Sequence, residues 1–250
     1  MIVTMTSARG GTGVTTAAVG LAAVWPRPVL LVEADPCGYS AILAGTLAAS
    51  VPAGAGVLDA AMAARAGQLS QVLPGMLVTL PGTNARVLPG LASVAQRRSL
   101  APAVWLDLAA ELRVWAEQNG TDVLVDTGPL PDAGHPAGWH TLADLVALVT
   151  RPDLVGVAAT RNWVDELADV LADPSRLHLL VTGTHPAYTA SQVAGYLRLP
   201  LLGDLGADPT TAAHYSHGDR LPRRHRGSMT RSLPAAAGAL LALSPEVADV

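Results

Sequence analysis

A glycine-rich turn between an apolar segment and an alanine-rich segment constrains this 250-residue chain more than any other feature. The apolar segment is residues 1–5, the turn is Arg-Gly-Gly-Thr-Gly-Val-Thr-Thr at 9–16, and small apolar residues continue to position 24. Glycines allow backbone conformations that point several N–H groups at one spot, and a helix that begins there adds its positive dipole end. The pattern predicts a strand, an anion-binding loop and a helix in succession.

The turn departs from the usual phosphate-binding loop at one decisive position. The pattern G-x-x-x-x-G-K-[ST] uses its lysine to reach the β and γ phosphates and its Ser or Thr to bind Mg²⁺. Val14 stands at the lysine position, Thr15 follows it, and all 16 Lys or Arg positions of the chain are arginine. The residues predicted to bind nucleotide here are Gly10, Gly11, Thr12, Gly13, Val14, Thr15 and Thr16. We therefore expect a loop that cradles phosphate without its customary cation.

The composition favours one large globular domain over residues 1–250, with 220–250 forming a basic loop and a C-terminal helix. Half of the residues are apolar and 14% are charged, which argues against disorder. A net charge of −4 argues against a generic nucleic-acid binder, and a single cysteine excludes a disulfide framework. No apolar run approaches the ~20 residues of a membrane-spanning helix, so a cytoplasmic protein is expected.

Apolar runs alternate with helical patterns, which is typical of a parallel sheet covered by helices on both faces. The predicted strands are 2–6, 29–33, 77–80, 123–126, 145–150, 177–182 and a short one at 201–202. The predicted helices are 15–24, 57–65, 103–118, 154–172 and 190–197, with loops at 82–90 and 132–138. The fold class is α/β, with a mostly parallel sheet.

Acidic residues follow two of the predicted strands. The second strand leads into Glu-Ala-Asp-Pro-Cys-Gly, with Glu33 and Asp35, and the strand at 123–126 ends in Asp126-Thr-Gly-Pro. The carboxyl ends of parallel strands are where open α/β sheets bind ligands. With the glycine-rich turn, these segments resemble the ParA/MinD family of P-loop ATPases, whose deviant Walker A loop reads K-G-G-x-G-K-[ST]-T. Arg9 stands at the first of its two lysines.

The resemblance implies a twisted, mostly parallel sheet flanked by helices and a site for ATP or ADP with Mg²⁺. In such proteins the second acidic residue orients the attacking water or supports Mg²⁺, which places Asp35 in that role. Thr15, Asp35 and Asp126 would then surround the metal. The first lysine of the family crosses a homodimer to the partner's nucleotide, so Arg9 is the candidate for the charge supplied in trans.

Two later residues complete the predicted site by the same resemblance. Residues 177–182 and 199–208 look like the family's late strand and its L-P-h-L-G-x-I-P-x-D element. Relatives pack an Asn on the adenine after that strand, and Thr182 occupies its place here. Asp208 lies in the loop that closes over the base in relatives. Thr182 and Asp208 are accordingly predicted to contact nucleotide.

The missing lysine favours a nucleotide-binding positioning or assembly factor with little or no ATP hydrolysis. Removing one such electrostatic group typically costs ~10²–10³ in rate. Lysine-poor ParA-like proteins with Val in the loop resemble the TadZ-like positioning factors of Tad-type pilus and secretion systems. Two alternatives stay open: a slow but active partition-type ATPase in which Arg9 supplies the charge, and a nucleotide-free scaffold that has kept only the fold.

A basic cluster lies between positions 220 and 231. Its members are Arg220, Arg223, Arg224, His225, Arg226 and Arg231. A solvated loop is favoured over a docking surface for DNA, anionic lipid or an acidic partner. The segment at 233–243 lacks a basic face, so packing on the body is favoured over lying in a membrane interface. The expected partners are a second copy of the chain and a protein within a larger assembly, through which a cytoplasmic protein would reach the membrane.

Overall fold

A single sheet organises the part of the chain that the computed structural model describes, which is residues 1–37, 41–48, 50–51, 54–130 and 135–244. Within these ranges eight strands make up the sheet. They are β1 (Ile2–Ser7), β2 (Val29–Glu33), β3 (Val78–Thr79), β4 (Arg86–Leu88), β5 (Asp122–Pro129), β6 (Leu145–Thr150), β7 (Leu177–Thr182) and β8 (Leu201–Leu205). Their order is β3-β4-β2-β5-β1-β6-β7-β8.

Every neighbouring pair is parallel except β3 with β4 at one edge. β1 lies between β5 and β6, and every residue of β1, β2, β6 and β7 is buried. Strands covered on both faces read as continuous apolar runs, which is why the sequence showed them clearly. The predicted α/β class with a mostly parallel sheet is confirmed.

Helices cover both faces of the sheet. They are α1 (Val14–Val24), α2 (Val57–Arg65), α3 (Leu69–Met76), α4 (Val94–Arg97), α5 (Pro102–Gln118), α6 (Gly138–Leu142), α7 (Leu154–Val170), α8 (Ala190–Leu197), α9 (Pro209–His217) and α10 (Ser228–Ala242). Helices α1 and α10 share one apolar cluster with one sheet face. On the other face, α2, α3 and α5 cover the β2–β5 half, while α7 and α8 cover the β6–β7 half.

The structure differs from the predicted elements where a local pattern was short or absent. The predicted loop at 82–90 contains β4, whose Val87 and Leu88 are buried and whose main chain pairs with β2. A three-residue strand has no periodicity to detect, and only the neighbouring strand defines it. Helices α3, α4, α6 and α9 were also missed. Positions 132–134 of the predicted loop at 132–138 lie outside the described residues, and so do 245–250 at the C-terminus.

The C-terminal helix packs on the body, as the sequence favoured. Helix α10 buries Leu233 and Ala236 against α1 and β8. Glycines permit the close approach: a Cβ added at Gly20 of α1 would lie 2.9 Å from Leu233 Cδ1, and one added at Gly203 of β8 would lie 3.2 Å from Ala236 Cβ. Within the ranges given above, no helix combines the length and the hydrophobicity that crossing a bilayer requires.

We expect Leu233→Ala to lower the free energy of unfolding by about 2–5 kcal/mol, because it removes a fully buried side chain and leaves a cavity between α10 and α1. Leu243→Ala is the matched control at the end of the same helix, where 43% of the side chain is exposed, and should change stability by less than about 0.5 kcal/mol. Urea unfolding followed by circular dichroism measures both. Equal effects would contradict the packing of α10 on the body.

Candidate nucleotide-binding site

The glycine-rich loop joins the carboxyl end of β1 to the first turn of α1, in the middle of the sheet. Gly11 and Gly13 have φ angles of +77° and +87°, a region that other residues rarely adopt. A Cβ added at either glycine would meet no atom of the described residues within 4 Å. Gly13 caps α1 without a side-chain hydrogen bond to the helix start. Among the described residues, none fills the inner surface of the loop and no side chain caps the first-turn N–H groups of α1, an arrangement suited to an anion.

A cavity of about 240 Å³ lies over this loop. Its lining residues are Ser7, Gly10, Gly11, Thr12, Gly13, Val14, Thr15, Thr16, Asp35, Gly128 and Pro129. The structure thus brings the seven predicted loop residues and Asp35 together. Ser7, Gly128 and Pro129 were not predicted, although Gly128 and Pro129 directly follow the predicted acidic strand end.

Two hydroxyl groups hold the loop in place, and a third holds the end of β5 beside it. Ser7 Oγ donates to the Arg9 carbonyl at 2.7 Å, and Thr6 Oγ1 donates to the Gly128 carbonyl at 2.9 Å. Thr182 Oγ1, from the end of β7, donates to the carbonyl of Thr12 at 2.5 Å. All three hydroxyl-bearing residues are buried, so these bonds are shielded from water. The loop is fixed from its own strand and from β7, and the neighbouring end of β5 is fixed to β1.

Asp126 is a fully buried carboxylate beside this loop. Its Oδ1 accepts the Gly128 N–H at 3.0 Å, while Oδ2 has no hydrogen-bond partner among the described residues. Burial raises the pKa of Asp126 to about 6; the Thr15 hydroxyl and the Gly128 amide lower it, and the Asp35 carboxylate raises it further. The raised pKa of Asp126 means that the surrounding protein groups do not fully offset the cost of burying its negative charge.

Asp35 reaches the same place from the end of β2. A Cβ added at Gly128 would lie 2.6 Å from Asp35 Cγ, so the carboxylate rests directly on the Gly128 main chain. Gly128 also has a φ angle of +67°. Asp35 Oδ1 accepts the N–H of Cys37 at 2.8 Å, which orients the group. The glycine is required here by both its conformation and its missing side chain.

The residues fit Mg²⁺ and a nucleotide phosphate. Thr15, Asp35 and Asp126 offer only oxygen donors, which are the ligands that Mg²⁺ prefers. Oδ2 of Asp126 is a buried acceptor with no hydrogen-bond partner in the part of the chain that the structure describes, which leaves it available to a cation or to the water shell of one. The open glycine loop supplies main-chain donors on the adjoining wall.

Val14 lines the cavity, but its side chain belongs to the apolar core on the α1 face of the sheet. Only 5% of the residue is exposed. A branched hydrocarbon gains by this burial, so the position predicted to touch nucleotide can offer its main chain and no charge.

The remaining predicted residues lie apart from the cavity wall. Arg9 is exposed at the lip of the loop and contributes to the field around Asp153. Thr182 directs its hydroxyl to the loop main chain. Asp208 caps α9 and is occupied there: it accepts from Thr211 N at 3.1 Å and Oγ1 at 2.6 Å, and His225 Nε2 lies 3.1 Å from Oδ1.

We expect Gly128→Ala to destabilise the protein more than Gly120→Ala. Both glycines have positive φ angles, +67° and +56°, so both substitutions strain the backbone by about 1–2 kcal/mol. Only at Gly128 does the new methyl group collide with Asp35, which should add about 1–3 kcal/mol. Urea unfolding of the two variants measures the difference. Equal losses would show that Asp35 does not rest on Gly128.

The raised pKa of Asp126 predicts that the metal-free protein loses stability as the pH rises from about 4 to about 6. In this interval the folded protein keeps the Asp126 proton, whereas the unfolded chain, with its ordinary pKa of 3.8, has released it. The free energy of unfolding therefore falls as the pH rises, by up to about 3 kcal/mol. This loss is complete above the folded pKa and absent below the unfolded one.

Asp126→Asn removes the titrating group and keeps one oxygen acceptor. It should match the wild type in stability at pH 4 and exceed it by about 1–3 kcal/mol at pH 7.5, measured by urea unfolding in EDTA. Identical pH profiles for the two proteins would show that the buried carboxylate carries its charge without penalty.

The fold is shared with solved structures of MinD and ParA ATPases. MinD from Aquifex aeolicus has a TM-score of 0.75 and 18% identity, over 96% of this chain and 97% of that one. A ParA family ATPase from Chlorobium tepidum TLS has a TM-score of 0.75 and 16% identity, over 94% and 98%. MinD from Pyrococcus horikoshii OT3, complexed with Mg-ADP, has a TM-score of 0.73 and 17% identity, over 100% and 99%.

No family model matches the sequence, and no curated protein matches it either. At identities below one fifth, similarity across nearly the whole length of both chains is a statement about fold. The chain has the P-loop fold of the MinD and ParA ATPases.

Proposed function

We propose that this protein is a nucleotide-dependent positioning or assembly factor of the ParA/MinD type that binds ATP or ADP with Mg²⁺ and hydrolyses little or none of it. One observation carries the proposal: an open phosphate cradle and a set of Mg²⁺-type oxygen donors lie beside a loop whose lysine position is a buried valine. The Mg-ADP complex of the Pyrococcus MinD supports the choice of ligand.

Binding would rest on the main chain of the loop and on the carboxylates around it. The N–H groups of Gly11, Gly13 and the first turn of α1 would hold the phosphates. Thr15, Asp35 and Asp126 would hold the Mg²⁺ shell, and Mg²⁺ neutralises phosphate charge when bound. A cation next to Asp126 would also favour its ionised form and relieve the cost of its burial.

Slow turnover follows from Val14. Phosphoryl transfer is promoted mainly by preorganised positive charge, and loss of one such group typically costs ~10²–10³ in rate, or ~3–4 kcal/mol. Val14 is packed in the core, so it cannot contribute to that charge. The active-ATPase alternative therefore requires another cation, for which Arg9 at the exposed lip is the predicted candidate.

Thr182 and Asp208 would contribute indirectly. Thr182 would keep Thr12 in position through the hydroxyl that it donates to the loop. Asp208 would fix the segment after β8 by its bonds to Thr211 and His225. Neither side chain needs to touch the base in this account.

Assembly is the proposed output. Arg9 would reach the nucleotide of a second copy, so that nucleotide and association favour each other. A protein of a larger complex, such as a pilus or secretion machine, would be the cargo. The protein would act in the cytoplasm and reach a membrane through that partner. Binding of DNA or membrane by the basic cluster is the less favoured alternative.

Isothermal titration tests the ligand. We expect ATP and ADP with Mg²⁺ to bind in the micromolar-to-millimolar range, and Gly13→Arg to abolish binding because it fills the cradle. Gly67→Arg is the matched control, since it adds the same charge at an exposed glycine with a positive φ angle of +66° and no described atom within 4 Å of an added Cβ. Loss of binding in the first variant alone supports the proposal. No heat from the wild type at millimolar nucleotide supports the nucleotide-free scaffold instead.

Two further readouts separate the remaining classes. Phosphate release should stay near background, and robust wild-type hydrolysis that disappears in Asp35→Ala would establish the slow ATPase. Light scattering should show a larger mass with ATP and Mg²⁺ in the wild type and not in Arg9→Ala. A mass independent of nucleotide and of Arg9 would make the protein a static adaptor.

A further inference from the structure

An arginine that the sequence did not single out lies next to the phosphate loop. Arg151 follows Thr150, the last residue of β6, and β6 is the strand beside β1. The Thr182 hydroxyl reaches the carbonyl of Thr150 at 3.3 Å as well as that of Thr12 at 2.5 Å. One buried side chain thus joins the loop to the residue that precedes Arg151.

The guanidinium lies flat over Gly183, the residue after Thr182. A Cβ added at Gly183 would lie 3.5, 3.7 and 3.8 Å from Nη1, Cζ and Nη2 of Arg151, and these nearly equal distances describe a face contact. Gly183 also has a φ angle of +77°. The three distances are ordinary van der Waals distances, so the glycine is favoured here by its backbone conformation and the guanidinium rests beside it.

The edge of Arg151 that recognises phosphate is available. Its Nε donates to Asp153 Oδ2 at 3.2 Å, whereas neither Nη donates to an acceptor in the described part of the chain. Two Nη groups in one plane match two oxygens of a phosphate. The arginine side chain is 47% exposed, and so weak an ion pair positions the group without occupying it.

The local charge favours an anion. The Gly156 N–H lowers the pKa of Asp153 most, and the nearby Arg151 and Arg9 lower it further, so this carboxylate is ionised at neutral pH. Arg9 and Arg151 thus place two positive charges near the one carboxylate of Asp153, beside a loop that has no lysine. An incoming polyphosphate would meet Arg151 already held in place by Asp153.

We propose that Arg151 is the phosphate-binding cation of this site, taking in the same chain the role for which Val14 has no charge: its Nη edge binds the outer phosphate oxygens of a nucleotide held in the loop. The inference rests on the proposed nucleotide binding and deepens it. Asp153 is the positioning residue for Arg151. The ligand that Arg151 recognises is a polyphosphate, so its contribution to the binding free energy grows with the number of phosphates.

The experiment is isothermal titration of the full chain with Mg²⁺ and AMP, ADP, ATP or inorganic tripolyphosphate. Arg151→Ala should weaken ATP and tripolyphosphate by about tenfold or more, as expected for charge-assisted hydrogen bonds, and AMP by less than about twofold. Arg151→Lys should recover part of the loss, because it restores charge without the planar fork. Asp153→Asn should weaken ATP binding by a smaller factor, because it loosens the arginine and leaves its charge.

Arg161→Ala is the matched control. Arg161 is 46% exposed and pairs with Asp165 at 3.0 Å on α7, so it has the same exposure and the same kind of ion pair away from the loop. It should leave every affinity unchanged, and urea unfolding should show all variants folded. An Arg161→Ala variant that weakens ATP as much as Arg151→Ala would reduce the effect to overall charge and overturn the assignment.

The remaining outcomes separate this inference from the proposed function. If the wild-type protein binds none of the nucleotides, both the proposed nucleotide binding and the role of Arg151 are contradicted. Wild-type protein that binds ATP as tightly as Arg151→Ala overturns the role of Arg151 and leaves the nucleotide switch standing. Equal losses for AMP and ATP would place Arg151 on the base or ribose and refute phosphate recognition.

Discussion

The site depends on a carboxylate that the fold buries without giving it a full set of partners. Asp126 ends the apolar run of β5 beside the central strand, where one oxygen takes a main-chain N–H and the other takes none in the described structure. Such a group is costly to keep charged, and its raised pKa records that cost. A proton or a neighbouring positive charge would each relieve this cost, which makes Asp126 the group whose state most affects the energy of the site.

The residues around Asp126 also position the other parts of the site. Gly128 turns the chain so that its amide caps one oxygen, and its bare main chain admits Asp35. Thr6 holds the Gly128 carbonyl, and Thr182 holds the loop from the far side. Buried hydrogen bonds of this kind fix geometry more than they add stability. The glycine-rich loop is consequently placed before any ligand arrives.

The sequence predicted the features that depend on neighbouring residues. It missed those that depend on contacts between distant parts of the chain. The strand, glycine turn and helix at the N-terminus need only neighbouring residues, and so does Asp126 at the end of an apolar run. β4 forms because its main chain hydrogen-bonds to β2 as a parallel neighbour. The burial of Val14 and the position of Arg151 over Gly183 depend on residues far along the chain. The rule that parallel strands place ligands at their carboxyl ends was applied only to the acidic strand ends, so Arg151 at the end of β6 was missed.

The contact between Gly20 and Leu233 ties two distant parts of the molecule together. Helix α1 carries Thr15 in its first turn and touches α10 near its middle, and α10 directly follows the basic segment. Tightly packed side chains transmit a displacement instead of absorbing it. Any residue larger than glycine at position 20 would therefore push α10 away from the helix that begins at the loop.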